Sequence, residues 1–401
     1  MAGMARYRRF AVATSLSTAG DGVFAAAVPL LAATLTRDPR LVSAVAAAAY
    51  VPWLLFSLPA GALVDRHDRA AMMWRGVAVQ AVLAAVVAVL AATDRLSVAG
   101  LTALAFGLGA GQVLTGTAAQ ALLPSLVAPD RLPSANGYQQ TIAVVGQQFL
   151  GPPLGSLLFA VAAGLPFGVD AVVLTVAAAL LATLRADRGR PARVTSSLRT
   201  EIAAGLRWLA AHRLLRTLTL LAAVNTFCFQ LGNATLVLLA TSELGVTARG
   251  FGLLLATAAV GSLAGGVAGP WLLRRCGDRA VLLAALTVNA AAALAIGLAG
   301  SAVALGALLA VIGLGVTLWN LVSIGLRQRL VPAELLGRAM SVHRLVGWGL
   351  IPAGALLSGV VAHEFGLRAP YPLAGGIRLA ALLVALPMII NLSGWHDDPE
   401  G

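Results

Sequence analysis

Twelve apolar runs of membrane-spanning length follow one another along this chain and leave little sequence for anything else. They lie near 9–36, 41–64, 70–93, 98–123, 135–163 and 166–184. After a polar stretch they resume near 215–241, 248–273, 279–299, 302–326, 339–362 and 371–392. A helix rises ~1.5 Å per residue, so about 20 apolar residues cross the ~30 Å hydrocarbon layer. Of the 401 residues, 59% are hydrophobic and 11% charged, against about 25% charged in a soluble domain. Backbone polar groups in lipid must be satisfied within the segment, which leaves helices. The expected fold class is an all-α membrane protein with twelve transmembrane helices.

Arginine placement orients the spans. The formal net charge is +12, and the 28 basic residues are all arginine. With the N-terminus inside, 22 of them fall on cytoplasmic segments. The other six, Arg37, Arg40, Arg95, Arg249, Arg368 and Arg378, fall outside. This is the positive-inside bias, and it places both termini in the cytoplasm. It also explains the basic charge without a nucleic-acid partner. The first run follows Arg8 and Arg9 and lacks a small-residue cleavage site, so it reads as a retained span rather than a signal peptide. Cys228 and Cys276 have no metal-type spacing, so neither a zinc site nor a disulfide is expected.

The longest internal polar stretch divides the chain in two. The expected domains are an N-terminal six-helix bundle, 1–184, a cytoplasmic linker, 185–214, and a C-terminal six-helix bundle, 215–401. From Leu198 to Leu215 the linker reads as an amphipathic helix. Leu198, Ile202, Leu206 and Leu209 share one face, with Arg199, Arg207 and Arg213 available to the other. The halves echo each other at an offset of 204: Leu126 with Leu330, Val127 with Val331, Asp130 with Glu334, Gly155 with Gly359. The same offset sets Asn225 opposite Asp21. Parallel repeats of this kind place a transport site near the midplane.

Asp21, between Gly20 and Gly22, is the single acid near the middle of a span. Twelve residues past Arg9 is roughly 18 Å of helix. A carboxylate there costs about 2.5–3.5 kcal/mol on insertion scales, so such a residue is normally retained for function. Asp170 lies about four residues into its run, on the external side, where a helix-start or interface role is expected.

Three motifs carry mechanism. After the second span comes Gly61-Ala-Leu-Val-Asp65-Arg66-His67-Asp68-Arg69. The fifth span holds Gly146-Gln-Gln-Phe-Leu-Gly151-Pro152-Pro153-Leu-Gly155. The loop after the tenth reads Leu326-Arg-Gln-Arg-Leu-Val-Pro332-Ala-Glu334-Leu-Leu-Gly337-Arg338. The first resembles the loop signature of the major facilitator superfamily, and the second is similar to the glycine–proline signature of its exporters. The third, with Leu123-Pro-Ser-Leu-Val-Ala-Pro-Asp130 and Phe167-Gly-Val-Asp170-Ala, resembles the branch of macrolide-efflux and enterobactin-exporter-like proteins. The resemblance spans essentially the whole chain and implies two pseudo-symmetric six-helix bundles.

What the resemblance implies for residues is specific. Gly61, Asp65, Arg66 and Arg69 would form a cytoplasmic latch, Gly61 permitting close helix approach. Asp68 stands where the family usually has glycine. Gly146, Gly151, Pro152 and Gly155 would form a helix-packing pivot, Pro152 kinking its helix. Asp21 would couple transport to protons, and Gln112, Gln147, Asn225, Gln230, Asn233, Trp319 and Asn320 would line the substrate cavity. The arginine that many drug/proton antiporters carry in the fourth span is absent here, so Asp21 would titrate without it.

No catalytic arrangement emerges. The five histidines fall in loops or near span ends, and without lysine there is no Walker motif. The expected function is a secondary active transporter, not an enzyme. It would export a small amphipathic molecule, drug-like or a siderophore, by alternating access and proton antiport, with no cofactor beyond an ion gradient. The expected partners are that molecule and the lipid bilayer, and the expected state is a monomer. The alternatives are an importer or facilitator of the same fold, and a membrane receptor or partner subunit that transports nothing.

Overall fold

A computed structural model describes residues 2–184, 207, 212–331, 343 and 346–390. The linker 185–214, apart from Arg207 and 212–214, lies outside the described residues, as do Pro332, Glu334, Gly337 and Arg338. Among the described residues every regular element is helical. In the first half these are α1 (Ala2–Leu35), α2 (Pro39–Arg66), α3 (Arg69–Ala92), α4 (Val98–Leu126), α5 (Leu132–Ala143), α6 (Gly151–Val161) and α7 (Leu165–Ala182). A 3₁₀ turn, Pro129–Arg131, precedes α5, and a π-helical segment, Val144–Leu150, joins α5 to α6. In the second half are α8 (Arg213–Asn233), α9 (Leu236–Leu238) with a π-helical extension Leu239–Glu243, and α10 (Ala248–Ile296). α11 (Ala302–Leu330), α12 (Ile351–Phe365) and α13 (Pro370–Ile390) follow.

Eleven stretches among the described residues are helical, long and apolar enough to span a membrane. One of them is double. Within α10, Gly277 has φ 77° and ψ 159°, a left-handed conformation open to glycine, and the chain turns back there. The twelve expected spans are accounted for in this way. Large apolar side chains point outward, as with Val267 at 75% and Val384 at 81% exposure, which suits lipid and not water.

By packing, the chain divides into two units. The first comprises Met1–Arg193, Ala234–Ala256 and Ser358–Leu367. Its core joins Phe10 and Ala13 of α1, Val77, Ala81 and Ala84 of α3, Ala118 and Leu122 of α4, and Leu174, Ala177 and Leu181 of α7. The Thr235 and Ser358 hydroxyls bond at 3.0 Å within it. The second comprises Val194–Asn233, Thr257–Leu357 and Arg368–Gly401. Its core joins Leu214, Leu218 and Leu221 of α8 to Leu282, Ala285, Leu318, Val322, Leu382 and Ile389.

The half repeat is visible inside each unit. α4 and α11 are each 29 residues long and lie 204 positions apart. Ser97 caps α4 through the Gly100 amide at 3.1 Å, and Ser301 caps α11 through the Ala304 amide at 3.2 Å. Gly111 of α4 lies against the buried amide of Gln80, and Gly315 of α11 against the buried amide of Asn289.

Candidate functional site

Asp21 sits at the middle of the Ala5–Leu35 span, half-buried, and each of its carboxylate oxygens accepts a hydrogen bond from an amide. Gln112 Nε2 of α4 donates to Oδ1 at 2.8 Å. Gln147 Nε2, on the π-helical segment, donates to Oδ2 at 3.4 Å. The fourth span thus offers Asp21 a neutral donor.

The prolines help set that geometry. Pro152 and Pro153 have no N–H, so they cannot bond the carbonyls one α-turn back. The Gly151 N–H instead bonds the Gly146 carbonyl, five residues earlier. This π-helical turn carries Gln147 opposite Asp21. α1 approaches the turn closely. A Cβ at Gly22 would lie 2.8 Å from Gln147 Cα and 2.9 Å from Gly151 Cα, and one at Gly155 would lie 3.0 Å from Val23 Cα. Gly146 is set against Ala19 in the same way, at 3.3 Å from its nitrogen. The glycines expected to pack helices therefore all pack against one partner, α1.

Of the two roles open to Asp170, helix start and interface, the first is not taken. The residue preceding α7 is Gly164, and no side-chain cap is made there. Asp170 is instead 5% exposed, with its Oδ1 against Gly20 of α1. Three residues before it, the Phe167 ring meets Phe24 of α1 edge-on, centroids 5.3 Å apart. Asp170 belongs to the α1–α7 interface.

The loop after α2 also differs in part. Among the described residues a Cβ at Gly61 would meet nothing within 4 Å, so they make no close helix approach there. Arg69 donates to the Ala121 carbonyl near the end of α4 at 2.9 Å, where a cation complements the helix dipole. Arg66 is exposed, and the side chain of Asp65 lies outside the described residues. Asp68, the departure from the superfamily pattern, caps α3 by accepting from the Ala70 and Ala71 amides at 2.9 and 3.1 Å.

In the second unit, Asn225 is half-buried, Gln230 and Trp319 are buried, and Asn233 and Asn320 are exposed. Trp319 belongs to the apolar core. Arg378 was counted above as an external topology anchor. It lies inside α13, 6% exposed. It donates to the Asn225 and Asn289 carbonyls, both at 3.4 Å, and lies against the Cys228 thiol. The signal was available, a lone charge within an apolar run, as for Asp21. Among the described residues no cluster of His, Cys, Asp and Glu could hold a metal.

A fold of membrane-spanning helices in two repeated halves, with an acid held by amides at mid-span and glycine-mediated packing around it, is that of a membrane transporter. A family model described as "Transmembrane secretion effector" matches residues 4–398, and the chain belongs to that family, within the major facilitator superfamily. It is similar to macrolide efflux protein A of Streptococcus pyogenes, 23% identical over 369 residues and 88% of each chain. It is also similar to the multidrug efflux pump Tap of Mycolicibacterium fortuitum, 27% identical over 386 residues, covering 93% of this chain and 90% of Tap. The fold matches a bacterial homologue of the iron transporter ferroportin (TM-score 0.73, 19% identity, covering 96% and 98% of the two chains). A bacterial homologue of the lysosomal transporter Spinster matches too (TM-score 0.73, 15% identity, 96% and 94%). These relatives and folds are those of multi-pass transporters and not of enzymes.

Proposed function

We propose that the protein exports a small amphipathic molecule, drug-like or a siderophore, by alternating access in exchange for protons. The observation that carries this reading is Asp21, a mid-span carboxylate held by amides from α4 and the π-helical segment, in a chain whose relatives are efflux proteins. A buried acid costs free energy in a membrane and is kept where it works. Neutral amides hold the carboxylate without the tight pairing an arginine would impose, leaving it free to take and lose a proton as its access changes.

In the same reading Gln112, Gln147, Asn225, Gln230, Asn233, Trp319 and Asn320 serve the substrate path. Asp65, Arg66 and Arg69, with Gly61, serve as the loop latch. The glycines of α6 and the π-helical segment, with Pro152, let α1 shift without separating. The protein works as a monomer in a bacterial inner membrane, both termini cytoplasmic, driven by the proton gradient and needing no cofactor. The test compares wild type with Asp21→Asn in proteoliposomes under an imposed pH gradient. Asn keeps the shape and the insertion, and pH-driven efflux is lost. Undiminished pH-driven efflux by the variant sinks the assignment.

A further inference from the structure

Asp170 is the second acid buried in the first unit, and the proposed cycle does not use it. It is 5% exposed. Among the described residues its Oδ1 has no hydrogen-bond partner, and it occupies the space that a Cβ at Gly20 would fill. The next residue along α1 is Asp21. These neighbouring acids have opposite surroundings. Both oxygens of Asp21 accept from amide donors, which suits a carboxylate. Asp170 is left with an orphaned oxygen in an apolar interface, which suits a neutral carboxyl, because an unpaired buried charge is among the costliest groups a fold can carry.

The elements packed on α7 supply no counter-charge. α1, α3 and α6 are those elements. α6 has no charged residue. Arg69 and Arg75 belong to the first turns of α3, whereas Gly168, two residues before Asp170, lies against Ala88 near its other end. Arg9 of α1 reaches Thr183, past the far end of α7. The titratable group of α1 that acts electrostatically on Asp170 is Asp21, one residue past Gly20. Two adjacent acids disfavour simultaneous ionisation, and pairs held in contrasting environments divide proton-holding from proton-accepting roles.

We propose that Asp170 is a proton-binding site, holding a proton beside an ionised Asp21. The pair then carries one proton and one negative charge at the α1–α7 interface. Neutralising Asp21, by a proton or by a cationic group of the substrate, lifts the repulsion between the two acids, and burial alone then keeps the proton on Asp170 at neutral pH. This inference rests on the reading of Asp21 as the coupling acid.

The test is infrared spectroscopy of the full chain in lipid at neutral pH, reading the C=O stretch of protonated carboxyls. The expected result is a band present in wild type and in Asp21→Asn, shifted in heavy water, and absent in Asp170→Asn. A band unchanged in Asp170→Asn, or one lost in Asp21→Asn instead, overturns the proposal. Should Asp170→Asn not fold, Asp170→Leu replaces it, since a site occupied by a neutral carboxyl tolerates an apolar side chain of similar size. The two readings fail separately. Loss of the band in Asp170→Asn together with intact pH-driven efflux in Asp21→Asn sustains the proton on Asp170 and sinks the coupling role of Asp21.

Discussion

Arg378 donates from α13 to the backbone carbonyl of Asn225 on α8 at 3.4 Å, at the residue that the half repeat pairs with Asp21. The first unit therefore places an acid at this level of the repeat, and the second an amide held by a buried cation. Among the described residues of the second unit the one acid is Asp278, which is paired with Arg329. Arg378 has no carboxylate of its own unit, and its Nε has no hydrogen-bond partner.

An isolated buried guanidinium is a net burden, and replacing buried ionic groups by apolar ones of similar volume is often neutral or stabilising by about 1–4 kcal/mol. Arg378→Met is accordingly expected to hold or raise the melting temperature of purified protein in detergent. A drop of the size that follows loss of a buried ion pair, about 3–5 kcal/mol, would show that an anion occupies the site.

Two glycines in the first unit should respond oppositely to the same change. At Gly22 an added methyl meets the backbone of Gln147 and Gly151, which cannot yield as a side chain would. Gly22→Ala is expected to cost about 1–3 kcal/mol, the usual scale of overpacking. Gly61 lies in α2 facing open space, so Gly61→Ala should be neutral or stabilise by up to about 1 kcal/mol through helix propensity. Thermal melts of the pair decide it, equal losses at both sites being the contrary result.

Asp68 caps α3. Asp68→Ala should lower stability by about 1 kcal/mol, whereas Asp68→Asn, also a good cap, should retain most of it. Comparable losses in the two variants would assign Asp68 some other task.

Asp38 caps α2 and accepts a bidentate pair from Arg40, at 3.2 and 3.0 Å. The Arg40 hydrogen bond holds its carboxyl below the usual carboxylate range. His363 Nδ1 lies 3.6 Å from the same group. A depressed acid contributes stability above its unfolded value, about 3.9, and loses it as pH falls through the folded value. The stability gap between wild type and Asp38→Asn should be constant from neutral pH down to about pH 5 and should close below about pH 3.9. A gap that instead widens on acidification would contradict the pairing.

Much of this architecture is legible in the chain because membrane spans are long and lipid forbids most alternatives. The repeat was readable from the matches at an offset of 204, and the caps at Ser97 and Ser301 fall at the same offset. Asp21 is legible because a lone charge in an apolar run is conspicuous, and Arg378 satisfies the same rule, although the charge asymmetry counts it among the external arginines. Asp170 is less legible. Its burial comes from Gly20, on a helix some 150 positions away, and no local pattern reports such a neighbour. Gly61 shows the converse, since a glycine motif names the residue and not whether a partner stands beside it. The Gln112–Asp21–Gln147 arrangement depends on three separate helical segments, and on a π-turn that proline spacing hints at without locating.

That turn also gives the chain an unusual tolerance. A π-helical segment holds one extra residue in its hydrogen-bonded ring, so Val144–Leu150 behaves as a retained single-residue insertion. Deleting one residue from it would let the helix heal into regular α geometry with the faces on either side kept in register. Gly151 and Gly155 would still meet α1, and what would be lost is the displaced turn that carries Gln147 to Asp21. A single-codon deletion here would thus leave hydropathy, topology and packing almost untouched and still remove one of the two amides that hold Asp21.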